Sequence, residues 1–329
     1  MMFLPLGCFL PHTAFLLLLL LFVFSSFRPT QTEVVRSISD CADFLLNQSP
    51  PQIPNILEDG KILDQNRYKP ICQTYRNIRT FLTLYDTIGK IPVFSAIKFV
   101  QDKNPGKRPK NPKWMIEPQL ENKSADKNMK EDNKRRGTYG HQASDLDYKN
   151  SKIYNRGHLC PSSYASNETA RTSTFTLTNI VPQVQSFNGG SWEKMEKCVK
   201  CFMEKFCKNS RGATEGFVVT GAQAGTEKLK NQVNVPSLMW SAFCCYSNNN
   251  KKWLAGAHWG ENVADKSKDE SLQTKSLNDL YEDLGTPTFN VFPGTECPLG
   301  TTVSMFYPKL DKSCKCPPPT FKQRNKWIG

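Results

Sequence analysis

The side chains with the greatest chemical reach lie between Tyr154 and Glu196, in the strings Y-N-R-G-H, T-N-I-V-P-Q and F-N-G-G-S-W-E-K-M-E. His158 is the natural general base, because an imidazole titrates near pH ~6.5 and keeps a neutral fraction at working pH. Arg156 carries a permanent planar charge suited to phosphate oxygens. Gly157, between them, permits a close approach that a side chain would block. Asn179 and Asn188 offer amide oxygens of the kind a hard cation accepts, and Mg²⁺ in particular keeps several waters and takes few protein ligands. Glu196 sits within an apolar helical stripe, where a carboxylate is costly unless a cation or donor meets it. An activated water, a cation at a phosphate and help for a leaving oxygen are the requirements of phosphodiester hydrolysis. Each residue alone also has an ordinary reading: a structural histidine, a turn at Asn188-Gly189-Gly190, a Glu196–Lys200 pair one helical turn apart. The combination is more specific than its parts.

These residues need elements to hold them. Ser191 reads as a helix N-cap, followed by apolar residues at helical spacing: Trp192, Met195, Val199, Phe202, Met203 and Phe206. Upstream, Phe81 to Tyr85 and Ile91 to Val100 read as strands joined by a turn at Asp86-Thr87-Ile88-Gly89, and Asp40 to Leu46 as a short helix. Downstream, Gly216 to Gly221, Ser237 to Tyr246 and Trp253 to Trp259 read as strands, the last two joined at Ser247–Asn250. Leu277 to Leu284 reads as a helix stopped by Gly285. His141 and His258 lack chemical company and read as structural or surface residues.

N-R-G-H, then T-N-I-V-P-Q about twenty residues on, then F-N-G-G-S-W-E-K-M-E, resembles the DNA/RNA non-specific endonuclease family, the ββα-metal or His-Me finger nucleases that include endonuclease G. The wider chain, with I-C-Q-T-Y, W-M-I-E-P-Q-L and N-V-P-S-L-M-W-S-A-F-C-C, is similar to the endonuclease domain-containing 1 group. The resemblance implies roles residue by residue. His158 matches the general base, Arg156 the Arg of the D-R-G-H signature, Asn188 the direct Mg²⁺ ligand, Glu196 the holder of metal-bound water, and Asn179 a supporting active-site Asn. The signature's Asp is Asn155 here, which keeps an acceptor oxygen and loses a charge. Some relatives use a further upstream Arg, for which Arg108 and Lys113 are the nearest candidates.

The chain has 329 residues, with 38% hydrophobic residues and a formal net charge of +13. That charge suits polyanions without separating nucleic acid from sulfated glycans. Residues 1–25, with an apolar run at Ala14–Phe24, read as a signal peptide, an uncleaved membrane anchor being the alternative. Residues 33–329 then form the folded part. Removing the leader leaves eleven of the 12 cysteines, an odd number expected to be mostly paired in an oxidising compartment. A zinc site at Cys198-x-x-Cys201 with Cys244-Cys245 is the competing reading. Asn47, Asn122 and Asn167 begin glycosylation sequons. Residues 103–136 hold eleven Lys or Arg against five Asp or Glu, a polar insertion that reads either as a solvated loop or as a phosphate-contacting surface. A Cys- and Pro-rich tail begins at Cys314 and is expected to be held by a disulfide.

The expectation is an α+β fold: a mainly antiparallel sheet with packed helices and a ββα-metal site. The expected activity is Mg²⁺-dependent, with Mn²⁺ as a substitute, and cuts DNA and RNA with little sequence preference in a secreted protein. A module that binds nucleic acid but cuts weakly, or that binds other extracellular polyanions, is the alternative.

Overall fold

Six strands whose residues are apolar on both faces assemble into one antiparallel sheet. The computed structural model describes residues 33–101, 106–133, 138–230, 232–284, 288–300, 303–306, 310 and 314–317, so the leader, the Gly285 helix stop and most of the tail lie outside the described residues. In chain order the strands are β1 (Leu57–Glu58), β2 (Lys61–Ile62), β3 (Tyr68–Tyr75), β4 (Ile78–Asp86), β5 (Ile91–Val100), β6 (Met115–Ile116), β7 (Lys130–Glu131), β8 (Tyr154–His158), β9 (Ile180–Val184), β10 (Glu215–Leu229), β11 (Val233–Ser247) and β12 (Lys252–Glu261). The large sheet has the order β12-β11-β10-β5-β4-β3, and β8 pairs only with β9. Three helices matter for the argument: α1 (Glu168–Ser173), α2 (Glu193–Phe206) and α3 (Leu277–Asp283).

The sheet is covered on both sides, which is why its strands read as dense apolar runs rather than a clean alternation. One face presents Phe81, Ile97, Phe99, Val218, Met239 and Phe243 to Met195, Val199, Phe202 and Met203 of α2 and to Ile180 and Val181 of β9. The other presents Leu82, Phe94, Ala96, Val219, Trp240 and Ala255 to Leu277 and Leu280 of α3 and to the N-terminal residues Ile38, Leu45 and Leu57. The hairpin expected at Asp86–Gly89 is present, with the Asp86 carboxylate accepting from the backbone of Ile88 and Gly89 and bound by Arg67. β10 and β11 pair well beyond the expected spans, to Leu229↔Val233, past bulges at Gln223 to Lys228. Polar sequence hid these extensions because they leave the core.

Five disulfides join Cys41–Cys72, Cys198–Cys316, Cys201–Cys314, Cys207–Cys245 and Cys244–Cys297, and Cys160 is a buried free thiol. The cysteines of the zinc reading are therefore consumed, and two of the bridges hold Cys314 and Cys316 of the tail to α2, a partner the sequence did not indicate. Within the basic insertion, the described residues 106–133 are more than a solvated loop. Met115, Ile116, Leu120 and Met129 are buried there, and Met115 and Met129 pack on Phe175. Among the described residues, no helix is long and apolar enough to cross a membrane.

Candidate active site

β8 and β9 form a short ribbon whose register runs from Tyr154↔Val184 to His158↔Ile180. β9 leads through Gln185–Phe187 into a wide π-type turn, Asn188–Trp192, and then into α2. The order is strand, strand, helix. Gly157 is required by the ribbon itself: a Cβ there would lie 2.2 Å from Gln183 Oε1 and 2.6 Å from Gln183 Cβ. Among the described residues, the buried Gln183 amide finds no partner for either its nitrogen or its oxygen. An unmet buried amide is expensive, and T-N-I-V-P-Q carried Gln183 without announcing it.

His158 ends β8. Its ring packs edge-on against Phe175 at 5.0 Å and near Trp114 at 5.8 Å. A hydrogen bond to the Arg156 backbone holds the ring, while the buried Nε2 has no partner among the described residues. Burial, with a smaller contribution from the nearby Arg108 charge, lowers its pKa to about 3. The imidazole is therefore neutral at physiological pH with one nitrogen uncommitted, which is the state a general base needs.

Arg108 is the residue that the sequence left unassigned. Its guanidinium lies over Phe175, 5.4 Å from the ring centre, and its charge is felt by His158, Glu196 and Arg171. It is exposed and has no ion pair among the described residues. Lys113, the other upstream candidate, is paired with Glu131. Nothing in an irregular basic stretch marks one cation over its neighbours, so only the tertiary placement on Phe175 distinguishes Arg108.

Arg156 is more constrained than its sequence position suggests. Its guanidinium pairs with Asp145, donates to the Asp145 carbonyl, and lies against Trp114 and Tyr148, while its buried Nε has no partner among the described residues. Asn155 is exposed and faces Gln183 across the ribbon. Asn179 is fully buried and its amide is committed on both ends. The oxygen accepts from Ser95 Oγ and the Cys160 N–H, and the nitrogen donates to the carbonyls of Cys160 and Thr174. It brackets the chain just after His158 to the large sheet.

Glu196 lies one turn into α2 and is only partly exposed. Burial raises its pKa to about 8, against which the Trp192 side chain favours the charged form. Its charge raises the pKa of both Cys160 and Tyr164, and Tyr164 Oη donates to its backbone carbonyl at 3.1 Å. The carboxylate thus faces the segment that follows His158. It is not paired with Lys200, which binds Glu204 instead. The Asn188 carboxamide is half-exposed and makes no hydrogen bond to the described residues. Ser191 is not the N-cap expected from sequence: the helix starts after the π-type turn, and the Ser191 hydroxyl donates to Asp265. His258, in contrast, is buried far along β12 and bound to Thr274, and His141 is a surface residue beside Glu121.

The donor set fits a hard cation. An uncommitted amide oxygen and a carboxyl group whose ionisation burial opposes until a positive charge is near suit a mostly hydrated Mg²⁺, and the His158 imidazole nitrogen is left for a proton rather than a metal. No three His, Cys, Asp or Glu side chains converge among the described residues as a softer metal would prefer.

The chain is 29% identical over 220 residues to the human (Homo sapiens) Endonuclease domain-containing 1 protein, covering 64% of this chain and 41% of the relative. It is 30% identical over 182 residues to the mouse (Mus musculus) protein of that name, covering 53% and 34%. The chain thus spans less than half the length of these curated relatives. A chain in the crystal structure of the EndoG/EndoGI complex aligns with a TM-score of 0.48 at 17% identity, over 64% of this chain and 83% of that one. The DNA/RNA non-specific endonuclease family matches residues 60–286, which include the whole strand–strand–helix unit, and the chain belongs to that family.

Proposed function

We propose that this protein is a divalent-metal-dependent endonuclease that hydrolyses phosphodiester bonds in DNA and RNA with little sequence preference. The observation that carries this reading is His158: neutral, anchored through one ring nitrogen, with Nε2 buried and, among the described residues, without a partner, near the Arg108 cation, which makes no ion pair among those residues. In this reading Nε2 takes a proton from the attacking water. Arg108 binds the phosphate and Arg156 supports it from the Asp145 side. Asn188 would hold Mg²⁺, or Mn²⁺ in its place, directly, and Glu196 would hold it through water. The cation, when bound, stabilises charge developing on the phosphate and its leaving oxygen. Asn179 contributes by fixing the chain after His158.

Phosphate-backbone contacts without base readout follow from a site built of cations and amides. The five disulfides support folding in an oxidising compartment, hence secretion, and all three sequon asparagines are exposed and open to glycosylation. Nicking of supercoiled plasmid by the purified protein tests the proposal, with Mg²⁺, Mn²⁺ or EDTA and with His158→Ala alongside. Cutting that requires metal and His158 supports it. A second reading rests on Asn155: a weakened module that binds nucleic acid or another extracellular polyanion. It gains if folded wild type does not cut while Asn155→Asp does.

A further inference from the structure

The turn that carries Asn188 is irregular and has no cap of its own. It is π-type, its Gly190 departs from helical geometry at φ −113° and ψ −110°, and neither the turn nor α2 receives a side-chain cap from its own N-cap residue. Wide turns of this kind inside helices frequently mark functional sites and need outside support.

That support comes from the chain beyond β12. Asn262 pins the end of β9 by accepting from the Val184 N–H at 2.9 Å and donating to the carbonyls of Pro182 and Pro236. Asp265 then grips both ends of the turn region. Its N–H donates to Ser186 Oγ at 3.2 Å, its Oδ2 accepts from the Ser191 N–H at 2.7 Å, and its Oδ1 accepts from Ser191 Oγ at 2.7 Å. Lys194 of α2 donates to the carbonyls of Lys268 and Glu270, fastening the same strap one turn further on. Gly190 is part of the device: a Cβ there would lie 2.2 Å from Asp265 Oδ2. The carboxylate occupies the place of that missing side chain.

We propose that Asp265 is a positioning residue for the cation site, fixing the Asn188 carboxamide through its hold on Ser191 and its lodging against Gly190. Charge-assisted bonds to a backbone N–H and a hydroxyl at the start of a 14-residue helix are short and directional. They set the rotation of the turn, and the rotation of the turn sets where Asn188 points. Supporting residues of this kind typically change metal affinity by roughly 10–100-fold when removed. The inference rests on the reading of Asn188 as the residue that holds the cation.

Mn²⁺ binding to the purified protein, followed by electron paramagnetic resonance, tests it independently of cleavage. Asp265→Ala, Ser191→Ala and Asn188→Ala are compared with wild type, with thermal melts in parallel. Asp265→Ala is expected to weaken Mn²⁺ binding by about tenfold or more, Ser191→Ala by less, and added metal to restore nicking by both. If Asp265→Ala melts lower yet binds Mn²⁺ like wild type, Asp265 is a helix cap alone and the inference is overturned. If Asp265→Ala does not fold, Ser191→Ala decides: unchanged affinity overturns the inference and weakened affinity sustains it. Unchanged Mn²⁺ binding by Asn188→Ala would overturn the reading of the site itself, a result distinct from failure at Asp265.

Discussion

Burial by Trp114 and Phe175 keeps His158 neutral, and the Arg108 charge lowers its pKa further. These are two separable effects, and one substitution separates them. Arg108→Ala leaves the aromatic walls in place and removes the cation. Initial rates of plasmid nicking should fall by roughly 10²-fold, the usual consequence of losing one charged contact to a reacting group. The logarithmic salt dependence of the rate should become shallower by about one phosphate contact. The acid limb of the pH–rate profile should move upward, because a neighbouring positive charge no longer opposes protonation of the imidazole. A variant with unchanged rate and salt slope would return Arg108 to the solvated surface.

The ribbon and its helix are legible in sequence to different degrees. The stripe Trp192 to Phe206 announces α2 because a helix repeats every 3.6 residues, and of its buried positions all but Cys198 belong to that stripe. The start of the helix does not announce itself, because the cap is supplied from 74 residues away by Asp265. Gly157 is readable as a place of close approach, but the group that approaches, Gln183, is fixed only when β8 pairs with β9. Gly157→Ala should therefore act at the level of the ribbon. The added methyl must displace Gln183 or spread the strands, and overpacking of this kind costs about 1–3 kcal/mol. Chemical denaturation should show that loss together with reduced nicking. Wild-type stability and activity would mean that the strands can part without consequence.

Across the whole molecule, a buried polar network joins the basic insertion to the site. Glu117, 1% exposed, accepts from Thr176 Oγ. Thr176 meets Thr178, Gln73 donates to Thr178 and Thr83, Thr83 meets Ser95, and Ser95 donates to Asn179. Burial, opposed by the Thr176 hydrogen bond, raises the Glu117 pKa from 4.5 to about 8. Between those values the native protein binds a proton that the unfolded chain releases. Glu117 therefore makes stability fall as pH rises through that window. Glu117→Gln, a neutral near-isostere, should be less sensitive than wild type to a change from pH 5 to pH 8 in urea denaturation. Equal pH sensitivity in the two proteins would show that Glu117 is ionised in the fold.

The sequence by itself determined the parts of this protein whose information is local. The 3.6-residue stripe of α2, the hairpin at Asp86–Gly89, and the types and order of Arg156, His158, Asn179, Asn188 and Glu196 are written over a few dozen residues and survive without a fold. The tertiary structure alone decided what depends on residues distant in the chain. It paired the ten cysteines, set Arg108 over Phe175, turned Arg156 toward Asp145, committed the Asn179 amide to Cys160 and Ser95, and brought Asp265 to the Asn188 turn. The physical reason is the same in each case. A side chain's protonation, charge partner and orientation are set by whatever packs against it, and the fold chooses those neighbours.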